Sequence, residues 1–585
     1  MNATPASTIH QVKTLQAAFK VLATLHLTAY LWPHQAQVKD GDCFDFIVVG
    51  AGSAGSVIAN RLTELENASV LLIEAGGDPP IESVIPGLFP FLKNTSVDWN
   101  YETEDDGYSQ QFHKNRGVEL TRGKMLGGSS SINFIAYTRG NQHDFDNWAN
   151  LTNDDTWCWQ KVLPYFIKSE ELVDPILLHS DARAFHGTEG YLGTTRYYNS
   201  EVLKYLQAFH EIGHDIVLDT NGDTPLGYSE SMFNIANGVR QSTAQSFLHP
   251  IKNRPNLHVL KKALVSKILF DDHKNAIGVE VILENNQTLS LKAEKEVIVS
   301  AGSINTPQLL MLSGVGPKHH LRNYDIKIVS DLPVGQTLRD HVFVIMNHVM
   351  GKSPPKKPMD PKNYPFPLIV GYISLNKSQK YPDYQTLNMV LREPTSALQL
   401  CTFYFSFLDE ICEALYDASE GREVLFSAVS LLYPESSGKI FLRSKNPRQP
   451  PIIFTGYYSK DEDLDSHATY LEDFVKVQNT KFFESVNSEL VVPEHCGCNG
   501  IFSRREFWKC YALCMMVSGY HYAGSCPMGA VVDSRLKVLG VQRLRVADAS
   551  VMPRITGANT NAATMMIGEK AADFIKEDHF FAKAG

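Results

Sequence analysis

Apolar and polar positions along the chain repeat with a few periods, and these predict its elements. Phe44 to Gly50 is a short, β-rich apolar run ending in glycine, and Ser56 to Leu65 has apolar residues at helical spacing above a polar face. Ser69-Val70-Leu71-Leu72-Ile73-Glu74 reads as a second buried strand. Strand, glycine turn, helix and strand within about 30 residues make a βαβ unit, which puts the first strand at the centre of a parallel sheet with a right-handed crossover. Val297-Ile298-Val299-Ser300-Ala301-Gly302 is another buried strand, and a helix follows from near Thr306-Pro307 through Leu312. Residues 353–366 are rich in proline and lysine and suit an exposed connection or lid. From about 346 to 520 short alternating strands mix with helices, as in a substrate-covering domain on an antiparallel sheet. No internal repeat or heptad pattern is present.

Composition changes this picture little. A chain of 585 residues, 43% hydrophobic and 20% charged, is ordinary globular material with room for two joined domains or more. A net charge of −10 argues against nucleic acid or an anionic membrane as partner, because no net positive charge would drive counterion release from phosphate. A small neutral ligand fits better. The start of the chain stands apart: Lys13 and Lys20 precede an apolar run from Val21 to Trp32, and Ala36 offers a small residue for cleavage, so residues 1–36 read as a secretory signal peptide. The run is too short to span a membrane, which requires roughly 20 residues. A cytosolic amphipathic leader is the alternative. Secretion is also favoured by glycosylation triplets at Asn67, Asn94, Asn150, Asn286 and Asn376. Among nine cysteines, Cys496, Cys498, Cys510 and Cys514 lie in one region and suit bridges in an oxidising compartment. The odd count leaves at least one thiol free. A zinc site at those four is the lesser reading, since their spacing is not that of paired CxxC motifs.

The chemistry begins at Gly50-Ala51-Gly52-Ser53-Ala54-Gly55, a GxGxxG turn after a strand and before a helix. The first glycine permits the tight turn, the second admits a pyrophosphate to the backbone, and the third lets helix and strand pack closely. Glu74 ends the second strand, where an acid can bind ribose hydroxyls.

With these residues the chain resembles the glucose-methanol-choline (GMC) oxidoreductases, flavoproteins that oxidise alcohols, over residues 43 to 577. The glycine turn with Glu74-Ala75-Gly76-Gly77 is one match, and Thr121-Arg122-Gly123-Lys124-Met125-Leu126-Gly127-Gly128-Ser129-Ser130-Ser131-Ile132-Asn133 is a second. The resemblance places Arg122, Gly127, Gly128, Ser129 and Asn133 along the pyrophosphate and isoalloxazine of FAD. Gly302 to Gly316 is similar to a further family signature, and Gly335-Gln336-Thr337-Leu338-Arg339-Asp340-His341 to a loop closing over the cofactor, where His341 reads as structural. Val265 aligns with a residue touching adenine. At the end of the chain, His521-Tyr522-Ala523-Gly524-Ser525-Cys526-Pro527-Met528-Gly529 makes His521 the implied base, with Asn559 as its partner. Asp548, Ala549 and Asn561 would contact the flavin and its ribityl chain. The implied fold is α/β, a Rossmann-like FAD domain (residues 41–345 and 525–585) with a substrate domain of antiparallel sheet and helices (346–524).

Alcohol oxidation removes a hydride and a hydroxyl proton from one C–OH unit, and flavin takes only the hydride. A neutral imidazole can take the proton, while an amide can stabilise the developing alkoxide. Relatives with covalently bound FAD carry a histidine where this chain has Ile132, so the FAD is expected to be non-covalent. Many relatives have proline after the Asn559 position, where this chain has Thr560, which leaves Asn559 less restrained. Val239-Arg240-Gln241-Ser242-Thr243-Ala244 and Asn559-Thr560-Asn561-Ala562 are most similar to the insect branch of the family, glucose dehydrogenases and ecdysone oxidases. The implied partners are a small-molecule alcohol, an ecdysteroid or a sugar, and oxygen or a quinone as acceptor. The aromatic run Cys401 to Leu408 suits an apolar alcohol or an ordinary core equally. The alternatives are a catalytically silent binding protein on the same fold and a nicotinamide-dependent dehydrogenase.

Overall fold

Four strands run parallel through the first sheet in the order Leu257–Leu260, Val70–Ile73, Cys43–Val49 and Thr288–Val299. The computed structural model describes residues 31–353 and 360–581. Thr288–Val299 changes partners along its length: its start pairs antiparallel with Ala276–Leu283, and its last three residues pair in parallel with Leu544–Val546. Ala263–Phe270 adds the far edge. Val49, Ile73, Val299 and Val546 thus end side by side, and the loops that follow them open at one carboxyl edge, where open α/β sheets bind ligands. Helix Gly55–Leu62, buried throughout, packs against the long helix Thr560–His579. The approach is close because Gly568 has no side chain: a Cβ there would stand 2.9 Å from the Ala54 carbonyl oxygen.

The second sheet is wholly antiparallel, with the order Glu489–Leu490, Val342–Lys352, Arg422–Leu431, Tyr384–Leu391, Leu368–Ile373 and Gly227–Glu230, and Met516–Ser518 also pairs with Val342–Lys352. Alternation sorts its residues between faces. His348 turns toward Phe474 of helix Asp461–Phe474, while Phe343, Leu387, Met389, Phe426 and Ala428 face the first sheet's carboxyl edge and line a cavity there. Each sheet has its own apolar core, and Tyr520 packs against both.

Several expectations need adjustment. The second sheet opens at Val342 and recruits Gly227–Glu230 from the segment expected to belong to the cofactor domain; Gly-Tyr-Ser-Glu lacks the alternation that would have announced a strand. Helix Gly302–Leu312 starts four residues before Thr306. Pro307 is tolerated inside it because the carbonyl its missing N–H would have bonded, that of Ser303, accepts the Ser525 hydroxyl at 2.7 Å. The described part of 353–366 is no exposed connection: Tyr364 is buried in the cavity wall and the Pro361 carbonyl accepts the Gly87 N–H. Most of the expected leader lies outside the described residues, but residues 31–36 belong to the folded body. Trp32 is buried, Gln35 exchanges two hydrogen bonds with Lys261, and the Ala36 N–H bonds Val259 on the edge strand. Cleavage after Ala36 would remove these contacts. Cys496–Cys514 and Cys498–Cys510 are disulfides, which leaves no zinc tetrad, and Cys401–Cys412 is a third bridge the sequence reading missed. Cys43, Cys158 and Cys526 are free thiols. No described helix is long and apolar enough to cross a membrane.

Candidate active site

The loops at the carboxyl edge of the first sheet form one arm of a cavity with about 2220 Å³ of empty space, its open mouth included. Gly50, Gly52, Ser53 and Ala54 line it after the first strand, Glu74 after the second, Ser300 to Gly302 after Val299, and Asp548 and Ala549 after Val546. Gly50 has φ +99°, a turn that side-chain-bearing residues rarely adopt, and a Cβ on it would meet the Ser300 carbonyl oxygen at 2.5 Å. Gly55 does not line the cavity. It lies behind the turn, where a Cβ would be 1.9 Å from the Gly50 carbonyl oxygen, so it sets the packing of helix on strand. Gly127 also stays behind the wall, whereas Gly128, left-handed like Gly127, reaches the cavity and abuts Gly52.

Glu74 is held by the Ala51 and Gly76 N–H groups, which donate to its two oxygens at 3.0 and 2.9 Å. Burial nevertheless pushes its carboxyl up to about 7. Arg122, Ser129, Asn133, Val265, Asp548, Ala549 and Asn561 line the same cavity. Asp548 accepts the Gly302 N–H at 2.8 Å and the Thr306 hydroxyl at 2.6 Å, capping the helix that starts at Gly302. The Asn561 amide oxygen accepts the Ser53 hydroxyl at 2.8 Å, joining the glycine turn to the last helix. Asn133 accepts the Ile135 N–H and an Arg240 N–H, which holds Ile135 at φ +66°, a strained angle for a β-branched residue on a cavity wall. A long, glycine-walled arm with an acid at the second strand end fits FAD, the dinucleotide these motifs imply.

The other arm holds His521 and Asn559. Strand Met516–Ser518 ends just before Tyr520, whose φ of +59° swings the following His521 inward. That backbone is fixed from several sides. The Ser518 hydroxyl accepts the Tyr520 N–H, Arg122 donates to the Tyr520 carbonyl, and Asp340 accepts the His521 N–H at 2.7 Å. Asp340 also accepts the Ser518 and Tyr457 hydroxyls, though burial raises its carboxyl to about 6.

Hydrogen bonds around His521 form a directed chain. His341 Nε2 lies 3.1 Å from the Leu432 carbonyl, which can only accept, so this nitrogen carries hydrogen. Burial, against the Leu432 and Thr556 carbonyls, holds His341 at about 4, so the ring is neutral at pH 7, and with Nε2 as donor its Nδ1 is an acceptor. His521 Nδ1 lies 2.9 Å from that acceptor and therefore carries hydrogen. Burial, with the nearby His341 and the positive Arg122, holds His521 well below the usual histidine range. Its Nε2 is thus a bare lone pair, 2.9 Å from the Asn559 amide nitrogen. The Asn559 oxygen is engaged in turn, accepting the Thr138 hydroxyl at 3.0 Å and the Gln385 amide at 3.3 Å. Motif reading found His521 and Asn559 but not Thr138 or Gln385, and it gave His341 no place beside His521.

Beyond this pair the wall is aromatic and aliphatic: Phe134, Phe343, Tyr364, Leu387, Met389, Tyr404, Phe405 and Phe426. The aromatic run thus supplies Tyr404 and Phe405 to the cavity, while Phe407 stacks on buried His113 instead. Lys93 fixes that turn by donating to the Phe403 and Tyr404 carbonyls, each at 2.6 Å. No lysine or cysteine lines the cavity, and His521 is its single histidine among the described residues.

Comparison with known proteins places this geometry. Residues 44–343 and 434–568 match the N- and C-terminal parts of the GMC oxidoreductase family. The chain is 38% identical to ecdysone oxidase of Bombyx mori, over 96% of this chain and 86% of that protein. It is 34% identical to the FAD, quinone glucose dehydrogenase of Drosophila melanogaster, over 91% and 87%. Among solved structures, a formate oxidase from Aspergillus oryzae RIB40 superposes with a TM-score of 0.79 at 26% identity, over 93% of this chain and 99% of that one. The chain belongs to the GMC oxidoreductase family, enzymes that use FAD to act on CH–OH groups.

Proposed function

We propose that the protein oxidises a bulky, apolar alcohol of the ecdysteroid kind to its carbonyl, with His521 as base and Asn559 as donor to the reacting oxygen. The wall opposite this pair carries the reading. The second sheet, the segment at Tyr364 and the turn at Tyr404 present rings, aliphatic chains, two tyrosines and Ser518 to the cavity, and no charged side chain. A sugar would bury several hydroxyls against that wall without partners, at a cost of about 1–3 kcal/mol each. A polycyclic alcohol instead buries apolar area, at roughly 25 cal/mol per Å².

The backbone of Gly50, Gly52, Ser53, Ala54 and Ser129 would hold the pyrophosphate, Glu74 the ribose and Val265 the adenine. Arg122, Asn133, Asp548, Ala549 and Asn561 would bound the flavin end. FAD, when bound, supplies the hydride acceptor. An alcohol oxygen within reach of both side chains gives its proton to His521 Nε2 and accepts the Asn559 amide hydrogen as charge develops on it. Because His521 is already neutral, no proton must leave it first. Ile132 in the wall and the absence of cysteine there support non-covalent FAD. Three disulfides and exposed asparagines at all five glycosylation triplets support a secreted glycoprotein. Oxygen or a quinone returns the flavin to its oxidised state.

Product analysis tests this reading. Ecdysone incubated with the enzyme and either oxygen or a quinone should yield a compound two hydrogens lighter, with a carbonyl in place of one hydroxyl. Recovery of unchanged ecdysone alongside oxidised glucose would reverse the substrate assignment. Recovery of every alcohol unchanged would favour a silent binding protein.

A further inference from the structure

We infer that Thr138 and Gln385 are positioning residues that lock the Asn559 amide with its nitrogen toward His521, which fixes His521 as the Nδ1–H tautomer with Nε2 free to act as base. The inference rests on the reading of His521 and Asn559 as the reacting pair. An amide presents either a donor or an acceptor to its neighbour according to a half-turn of its side chain, and the two orientations have opposite effects on a base. With Nδ2 toward His521 Nε2, the amide stabilises the bare lone pair and can donate to an alcohol oxygen. With Oδ1 there, it would stabilise a protonated Nε2, so the ring could not accept the hydroxyl proton.

Two donors oppose the second orientation. The Thr138 hydroxyl donates to Asn559 Oδ1 at 3.0 Å while accepting the Asn559 backbone N–H at 3.1 Å, so a single side chain grips both the amide and the residue carrying it. The Gln385 amide donates to the same Oδ1 at 3.3 Å and to the Tyr372 hydroxyl at 2.8 Å. Thr138 and Gln385 are buried, and they come from different bodies: Gln385 lies on the central strand Tyr384–Leu391 of the second sheet, and Thr138 just after the wall residues 133–136. Gln385 directs its amide N–H donors to Asn559 and Tyr372 and leaves its own Oε1 buried without a partner. The clamp also answers the absence of proline after Asn559. The helix Thr560–His579 begins at Thr560, and Asn559 is restrained by Thr138 and Gln385 instead of by a ring at the first helical position.

The test uses FAD-loaded protein and the variants Gln385→Glu, Thr138→Val and Thr138→Ser. A carboxylate at position 385 only accepts, so it turns the amide over and presents Oδ1 to His521. Histidine ring ¹⁵N shifts followed against pH report the His521 tautomer and titration whether or not the enzyme turns over, and anaerobic rapid mixing with an alcohol gives the flavin-reduction rate. Wild type and Thr138→Ser should show neutral His521 with Nδ1–H throughout the neutral range. In Gln385→Glu and Thr138→Val the ring should titrate at higher pH. Flavin reduction in Gln385→Glu should be about 100-fold slower at neutral pH, the scale for losing one donor to a developing alkoxide, and should climb as pH rises. FAD content equal to wild type separates this from misfolding. His521 titrating in both variants as it does in wild type would overturn the inference. If wild type reduced its flavin with no alcohol, the functional reading would fall, and the ring titration would still decide the positioning role.

Discussion

At neutral pH an ordinary imidazole is divided between charged and neutral forms, but His521 is buried beside His341 and Arg122, and both oppose a second proton. Its folded value lies below the ordinary 6.5, so the base is competent above that lowered value and fails only when pH falls through it. Flavin reduction in the wild type should therefore be flat from about pH 6 upward, and a rate that climbs between about pH 6 and 8 would contradict a neutral His521. His521→Ala should retain FAD and reduce it at least ~100-fold more slowly, as measured by anaerobic rapid mixing. His521 and Asn559 could be singled out because each sits in a family motif. Thr138 and Gln385 were not, since they meet Asn559 across 421 and 174 residues of chain and neither lies in a motif that names its role. His341 was read as structural because its neighbour, 180 residues away, is visible only once the strand at Met516–Ser518 pairs with Val342–Lys352.

Elements show the same division between local and distant signals. The βαβ unit was plain from its periods, and the glycine turn ends the strand where the structure ends it. Gly55→Ala tests that turn. A Cβ 1.9 Å from the Gly50 carbonyl oxygen must displace either the turn or the helix, so the variant should purify with much less FAD, read from the flavin-to-protein absorbance ratio. Full occupancy would mean that the turn can shift without harm. The early start of helix Gly302–Leu312 was hidden by Pro307, because the Ser525 hydroxyl that compensates it comes from another segment. The strand Gly227–Glu230 was hidden for a related reason: it is buried on both faces, so no alternation marks it.

Across the whole molecule, a closed ion cluster braces the segment that carries Thr138. His186 Nδ1 lies 2.8 Å from Glu170 and its Nε2 2.9 Å from Asp219, and Arg139, the residue after Thr138, pairs with the same Glu170 and lies 3.2 Å from His186 Nδ1. Burial and the positive Arg139 disfavour charge on His186, but the Asp219 and Glu170 carboxylates outweigh them and raise the folded value above the ordinary 6.5. The stability this contributes is complete below about pH 6.5 and is lost as pH rises through the raised folded value, by up to about 1.4 kcal/mol per pH unit. Thermal midpoints of wild type and His186→Gln should therefore differ most near about pH 6 and draw closer as pH rises, and a constant gap would show that His186 is not charged in the fold. At this scale the two sheets meet at one cavity, with motif residues on one arm and an apolar wall on the other, and the wall was the part least legible in advance because its residues come from six separate strands and loops. The most direct test of the account is anaerobic mixing of the purified enzyme with ecdysone and, separately, with glucose, following loss of flavin absorbance. Rapid bleaching by ecdysone, and little by glucose, is the predicted result; bleaching by glucose alone, or by neither, would contradict it.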